Sequence, residues 1–247
     1  MIGAFRPQLV ALLCGLLPFA GVHLAYLINL SDAAALRPEF HCMPYWEGCV
    51  SISRAARSGE GLHLFRALVL PAAALMVLTW LYTGRWLQLL LPKKTRQAGL
   101  IGAMGAIGAL FLIVYASWLG TDGPWYGWLR RYGVIFYFGL TALAQLLLLN
   151  TLWPSRKILL DGLLQPALRL LFTLVALQWA GGVFSSLKRL LLSDPLLIDR
   201  LENTIEWSFA LSMSAGFLAI GWLFRRSGYV LQPRTGLNPP DDPSGSI

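Results

Sequence analysis

The sequence predicts an all-α fold: a polytopic bundle of six transmembrane helices with both termini in the cytoplasm. Three observations carry that expectation. Only 13% of the 247 residues are charged and 56% are hydrophobic, against about 25% charged in an ordinary soluble domain. The apolar residues gather into six runs, each near the ~20 residues that cross a hydrocarbon core. The short connections that hold Lys93, Lys94 and Lys157 fall on one side, and cation placement there sets topology, although the other side also carries nine Lys and Arg, accompanied by nine acids that count little in the rule. This balance excludes a soluble enzyme. The net charge of +8 would point to nucleic acid in a water-soluble chain, but here most of it belongs to the connections, so no nucleic-acid partner is expected. Ten Trp and eight Tyr, many flanking the runs, suit the headgroup level of a bilayer.

The first run, 8–30, follows Arg6. It is longer than the 7–15 apolar residues typical of a signal peptide and no small-residue cleavage site closes it, so it reads as a retained helix. The largest polar interruption of the chain comes next, from Cys42 to Arg57. Cys42 and Cys49 share this loop while Cys14 lies deep in the first run, so one loop disulfide and one inert buried thiol are expected. Ser51 reads as the N-cap of a short helix over 52–58 that Gly59 ends. Against a catalytic serine stands the absence of any Gly-x-Ser-x-Gly elbow; His63 is the nearby base such chemistry would need.

The remaining runs are 65–82, 98–119, 132–153, 163–184 and 204–224. In the third, Gly99, Gly102, Gly105 and Gly108 form small-xxx-small pairs with Ala103, Ala106 and Ala109, which places that span inside the bundle and facing more than one neighbour. Gln145 in the fourth run and Gln178 in the fifth form a deep polar pair suited to interhelical hydrogen bonding. The sixth helix is expected to start before the membrane, because Asp194 followed by Pro195 is an N-cap with proline at the first helical position. Its projecting part puts Asp199, Glu202, Asn203 and Glu206 on one face. A single domain spans 1–228, and 229–247, rich in proline and poor in apolar residues, is expected to be a disordered cytoplasmic tail. Arg6, then Arg85, Lys93, Lys94 and Arg96, then Arg156 and Lys157, then Arg225, Arg226 and Arg234 fall on the side expected to be cytoplasmic.

On the opposite side, Ser51, Ser53, Arg54, Arg57, Arg130 and Arg131 are the candidate lipid-headgroup residues, with Arg130 and Arg131 expected in the loop before the fourth span. Glu47, Asp122, Asp199, Glu202 and Glu206 are the supporting acids. Paired guanidinium N–H groups suit a lipid phosphate; the competing reading is a set of interhelical ion pairs between these arginines and the acidic face of the last helix. There is no His-x-x-x-His pair and only His23 lies well inside a span, so neither a metal nor a haem is expected, and no cofactor.

Two short motifs add a resemblance. Val50-Ser51-Ile52-Ser53-Arg54 before the second span, and Glu206-Trp207 heading the last, resemble motifs of the Frag/DRAM/Sfk membrane family, related to the Cwh N-terminal domain and to the factor that remodels GPI lipids. Arg131-Tyr132-Gly133 is a weaker match. The chain departs from the pattern with Cys49-Val50 where many members have proline, and with Arg54 where several have aspartate. The resemblance implies a six-helix bundle associated with lipid remodelling, lipid distribution or membrane signalling. An Ala-, Leu- and Arg-rich, lysine-poor composition points to a bacterial inner membrane, where a phospholipid or glycolipid replaces GPI as the expected partner. Two classes of function remain open: a lipid-interacting protein with an outward headgroup site, and a non-catalytic scaffold or regulator of another membrane protein that packs through the third span. If the chain is catalytic, acyl-chain remodelling is the expected activity.

Overall fold

The computed structural model describes residues 5–33, 41–157 and 159–231. Its α-helices are α1 (Pro7–Ala33), α2 (Pro44–Glu47), α3 (Ile52–Ala55), α4 (Gly59–Leu90), α5 (Thr95–Trp118), α6 (Pro124–Leu152), α7 (Gln165–Leu191) and α8 (Pro195–Arg226), and no strand occurs among the described residues. Six of them, α1 and α4 to α8, are long and apolar enough to cross a membrane. Architecturally the chain is an integral membrane protein.

Several helices overrun the expected spans. With 32 residues each, α4 and α8 are about 48 Å long and exceed a ~30 Å hydrocarbon core. Asp194 caps α8 as expected, its carboxylate accepting from the Leu196 N–H at 2.9 Å. Helix α6 begins at Pro124 rather than at 132, so Arg130 and Arg131 sit in its first turns and not in a loop.

The spanning helices form a ring in the order α8, α1, α4, α5, α6, α7, with α7 returning to α8. Between apolar helices in lipid, close backbone approach replaces the hydrophobic effect as the main source of association. Gly84 and Gly102 supply it between α4 and α5, where a Cβ on Gly84 would come within 3.1 Å of the Ala98 carbonyl. A Cβ on Gly105 would overlap the indole of Trp80, and Trp80 in turn meets Phe217 of α8 edge-on at 5.8 Å across the core. Gly108 faces Leu140 and Thr141 of α6. The third-span glycines thus serve two neighbours within this chain. Gln178 donates to Gln145 at 2.9 Å and Gln145 to the Met213 carbonyl at 3.4 Å, tying α7, α6 and α8 at depth. Cys14 is a buried free thiol 3.2 Å from the Thr79 hydroxyl.

The two described ends meet. Phe5 and Leu231 exchange backbone hydrogen bonds of 3.0 Å, at the end of the bundle away from the α1–α4 connection. Tyr229 is buried and packs against Phe224 at 5.3 Å, so the packed domain runs past 228. The rest of the expected tail, 232–247, lies outside the described residues.

Candidate functional site

The connection between α1 and α4 folds back over the bundle as a cover, and α8 holds it by its backbone. Asn203, Glu206 and Trp207 lie on one face of α8 at i, i+3 and i+4. Asn203 Nδ2 donates to the Gly48 carbonyl at 2.7 Å and Trp207 Nε1 to the Val50 carbonyl at 2.9 Å. The Glu206 carboxylate accepts from the backbone N–H groups of Ile52 and Ser53. Ser51 takes the next donor, its Oγ accepting from the Arg54 N–H at 3.2 Å. The first N–H groups of α3, which have no partner inside the helix, are therefore met by Glu206 and by Ser51 as the N-cap. Gly48, at φ 60°, presses so closely on the Arg200 carbonyl that a Cβ would overlap it.

The other flank is held by α1. Asn29 Nδ2 donates to the carbonyls of Ala55 and Ser58, at 2.7 and 2.9 Å, and its Oδ1 accepts from the Gly61 N–H. The Tyr26 hydroxyl donates to the Cys42 carbonyl at 2.6 Å. His23 Nδ1 lies 2.7 Å from the Phe19 carbonyl and so carries the proton, which leaves Nε2 to accept from the Tyr45 hydroxyl at 2.9 Å. Trp207 fills the centre, with the rings of His23, Tyr26 and Tyr45 around it at 5.5 to 5.7 Å. Burial pushes the Tyr45 hydroxyl up to about 12. Cys42 and Cys49 are joined as a disulfide that closes the α2 loop.

The acids sort differently from the expected cluster. Asp199 pairs with Arg54 at 2.9 Å, and Arg54 also donates to Asn203 Oδ1 and, through Nε, to Ser51. Glu202 turns instead to Lys188 of α7, at 2.9 Å. Glu206 holds backbone N–H groups, with Arg54 only in its electrostatic neighbourhood. Glu47 accepts from the Met43 N–H at 3.1 Å and so caps its own turn, while Asp122 is exposed and does not line the arginine cavity. Neither Glu47 nor Asp122 makes an ion pair with a candidate cation among the described residues.

Four of the candidate headgroup residues share one cavity of about 460 Å³: Ser53, Arg57, Arg130 and Arg131, together with Tyr115 and Trp128. No carboxylate is among its described lining residues. Arg130 Nη1 donates to the carbonyls of Trp118 and Thr121, which fixes that guanidinium at the C-terminal end of α5. Neither Arg57 nor Arg131 makes a side-chain hydrogen bond or ion pair within the described residues. Below lies a smaller apolar cavity of about 60 Å³, lined by Ile52, Phe65, Tyr137, Phe138 and Trp207. Tyr115 lines both cavities.

Ser51 and Arg54 are left out of the cavity by their work in the cover. Sequence reasoning missed Tyr115 and Trp128 as lining residues and Asn29 as an anchor. A polar-tipped ring near the end of the third span and a lone amide closing the first were the available signals. No protein-family profile matches the chain, and no curated protein or solved structure matches it either.

Proposed function

We propose that this integral membrane protein binds the anionic headgroup of a phospholipid or glycolipid in the arginine cavity, on the outer side of a bacterial inner membrane, and that this binding assists lipid distribution or remodelling. One observation carries the reading: Ser53 and three guanidinium side chains line a cavity without a carboxylate among its described lining residues, directly above an apolar pocket. Guanidinium N–H groups match phosphate oxygens in pairs. Arg130 is held by carbonyls that fix its position, leaving Arg57 and Arg131 to meet the ligand. Trp125 and Trp128, at 66% and 54% exposure, stand beside the cavity as interface-level rings do. At the other end of the bundle gather Arg6, Arg85, Lys93, Lys94, Arg225 and Arg226, and its short lysine-bearing connections favour placing that end in the cytoplasm.

The two motifs behind the resemblance to Frag/DRAM/Sfk proteins touch each other in this chain. Trp207 donates to Val50, and Glu206 accepts from Ile52 and Ser53, so the two short sequences act as one clamp. Ser51 Oγ accepts from two N–H groups of Arg54, which fits a cap better than a nucleophile. Packing against a partner through the third span draws less support, because Gly102, Gly105 and Gly108 already face α4 and α6.

The test is native mass spectrometry with lipid identification on the wild type and on Arg57→Ala/Arg131→Ala. The wild type is expected to retain a defined anionic lipid that the double variant loses. Equal retention by both proteins, or loss in Arg54→Ala as complete as in the double variant, would remove the headgroup site from this cavity.

A further inference from the structure

A second groove, at the opposite end of the bundle, has the same two-part chemistry and belongs to none of the residues discussed as a site so far. It lies between α1 and α8, has a volume of about 340 Å³, and is lined by Arg6, Leu9, Leu12, Leu218, Trp222 and Arg225. Its floor exists because Gly221 lets the two backbones come together: a Cβ there would lie 3.2 Å from the Gln8 carbonyl and 3.3 Å from the Ala11 Cβ.

The order of residues along each wall matters. On α8, Leu218, Trp222 and Arg225 follow at i, i+4 and i+7, and on the α1 side Arg6, Leu9 and Leu12 follow at steps of three. Each series lies along one helix face, so both walls present an arginine at the membrane edge and apolar side chains for about 10 Å toward the membrane interior. Leu9 and Leu12 are 56% and 43% exposed, and both arginines are exposed as well. Neither Arg6 nor Arg225 makes a side-chain hydrogen bond or ion pair within the described residues. The described carboxylates with a partner, Glu47, Asp194, Asp199, Glu202 and Glu206, all stand at or near the other end.

We infer that this groove is a second lipid site, which holds one anionic phospholipid of the inner leaflet with its phosphate between Arg6 and Arg225 and one acyl chain along Leu9, Leu12, Leu218 and Trp222. A partner helix would cover the exposed leucines, but it would meet the two guanidinium groups only with acids placed at their one depth. A free phosphate would use the arginines and leave the apolar wall idle. The phospholipid satisfies both halves. This site is independent of the arginine cavity at the loop end.

The test titrates purified full-length protein in neutral detergent with dioleoylphosphatidylglycerol, with dioleoylphosphatidylcholine and with inorganic phosphate, following binding by native mass spectrometry and the melting curve. Arg6→Gln/Arg225→Gln is expected to weaken phosphatidylglycerol binding at one site about 30-fold, and Arg6→Gln alone about fivefold, from the worth of one interfacial cation each. Arg57→Ala/Arg131→Ala should leave this site filled. The control is Lys93→Gln/Arg96→Gln, which removes two cations of the same end away from the groove and should change little. A control variant that weakens binding as much as Arg6→Gln/Arg225→Gln would show a diffuse basic surface and overturn the site. So would phosphatidylcholine or inorganic phosphate binding as tightly as phosphatidylglycerol.

Discussion

Glu206→Ala is expected to destabilise the protein more than Arg54→Ala, although both residues join the α1–α4 connection (loop 1, described over 41–58) to α8. The Glu206 carboxylate accepts from two backbone N–H groups at the start of α3, next to Ile52, which is only 5% exposed. A buried N–H left without its acceptor costs about 1–3 kcal/mol, so losing both acceptors costs about 2–6 kcal/mol. Arg54 and Asp199 have side chains 43% and 51% exposed, and such a solvated ion pair contributes about 0.2–1 kcal/mol. At about 2–4 °C per kcal/mol for a chain of this size, Glu206→Ala should melt at least about 4 °C below the wild type and Arg54→Ala no more than about 4 °C below. Glu206→Gln keeps one acceptor oxygen and should fall between them. The assay is intrinsic-fluorescence melting in a single detergent, with trypsin cleavage after Arg57 as a local readout of the cover. Equal shifts for Glu206→Ala and Arg54→Ala would refute the assignment of Glu206 as the anchor of α3.

Other expectations follow from the same geometry. Gly105→Ala should cost about 1–3 kcal/mol by forcing Trp80 out of place, whereas Gly99→Ala, with no atom within 4 Å of the added Cβ, should be neutral or gain up to about 1 kcal/mol; paired melting curves check both. Cys42→Ser/Cys49→Ser should lower stability by about 2–3 kcal/mol, the loop-closure scale for so short a bridge, and should speed proteolysis between α1 and α4. Tyr45 stays protonated in the fold beyond its ordinary range, so its contribution is complete below pH 10.0 and is lost as pH rises toward about 12. Alkaline melting should show that fall in the wild type and a smaller one in Tyr45→Phe.

The spans were legible because hydropathy marks chain at membrane depth, but helix ends obey a different rule. A helix continues through polar turns until a cap or a break stops it. The Asp194-Pro195 cap was read and placed the start of α8 correctly. Gly123-Pro124 carries the same proline-at-N1 signal, and overlooking it left Arg130 and Arg131 in a loop. The acidic face shows a subtler failure. At 3.6 residues per turn Glu206 lies about 20° around the helix from Asp199, and Glu202 about 60°. That angle is enough to send Glu202 to Lys188 on α7 while Asp199 and Glu206 stay with loop 1. Periodicity gives a face; only the ring order of helices says which neighbour each edge of that face meets.

Charge sorting is also what makes the candidate site. Loop 1 carries Arg54 and Arg57 three residues apart on a single helical turn and its continuation, and α8 offers Asp199 within reach of only the first. Had Glu202 faced the loop as well, Arg57 would have had an acid to meet, and the cavity would have closed into an ion-pair network. Instead Glu202 pairs with Lys188 on the α7 side. Meanwhile the early start of α6 brings Arg130 and Arg131 up beside Arg57, and the α5 carbonyls hold Arg130 without neutralising it. Removing Lys188 therefore tests the sorting itself. In Lys188→Leu, Glu202 keeps its other interactions but loses the Lys188 charge beside it, so the positive field of the cavity should fall. Binding of an anionic lipid should then weaken although no cavity residue has changed, and Lys188→Leu/Glu202→Gln should restore it. Weakened binding in the single variant that the second substitution fails to rescue would mean that Lys188 acts through the packing of α7 and not through charge.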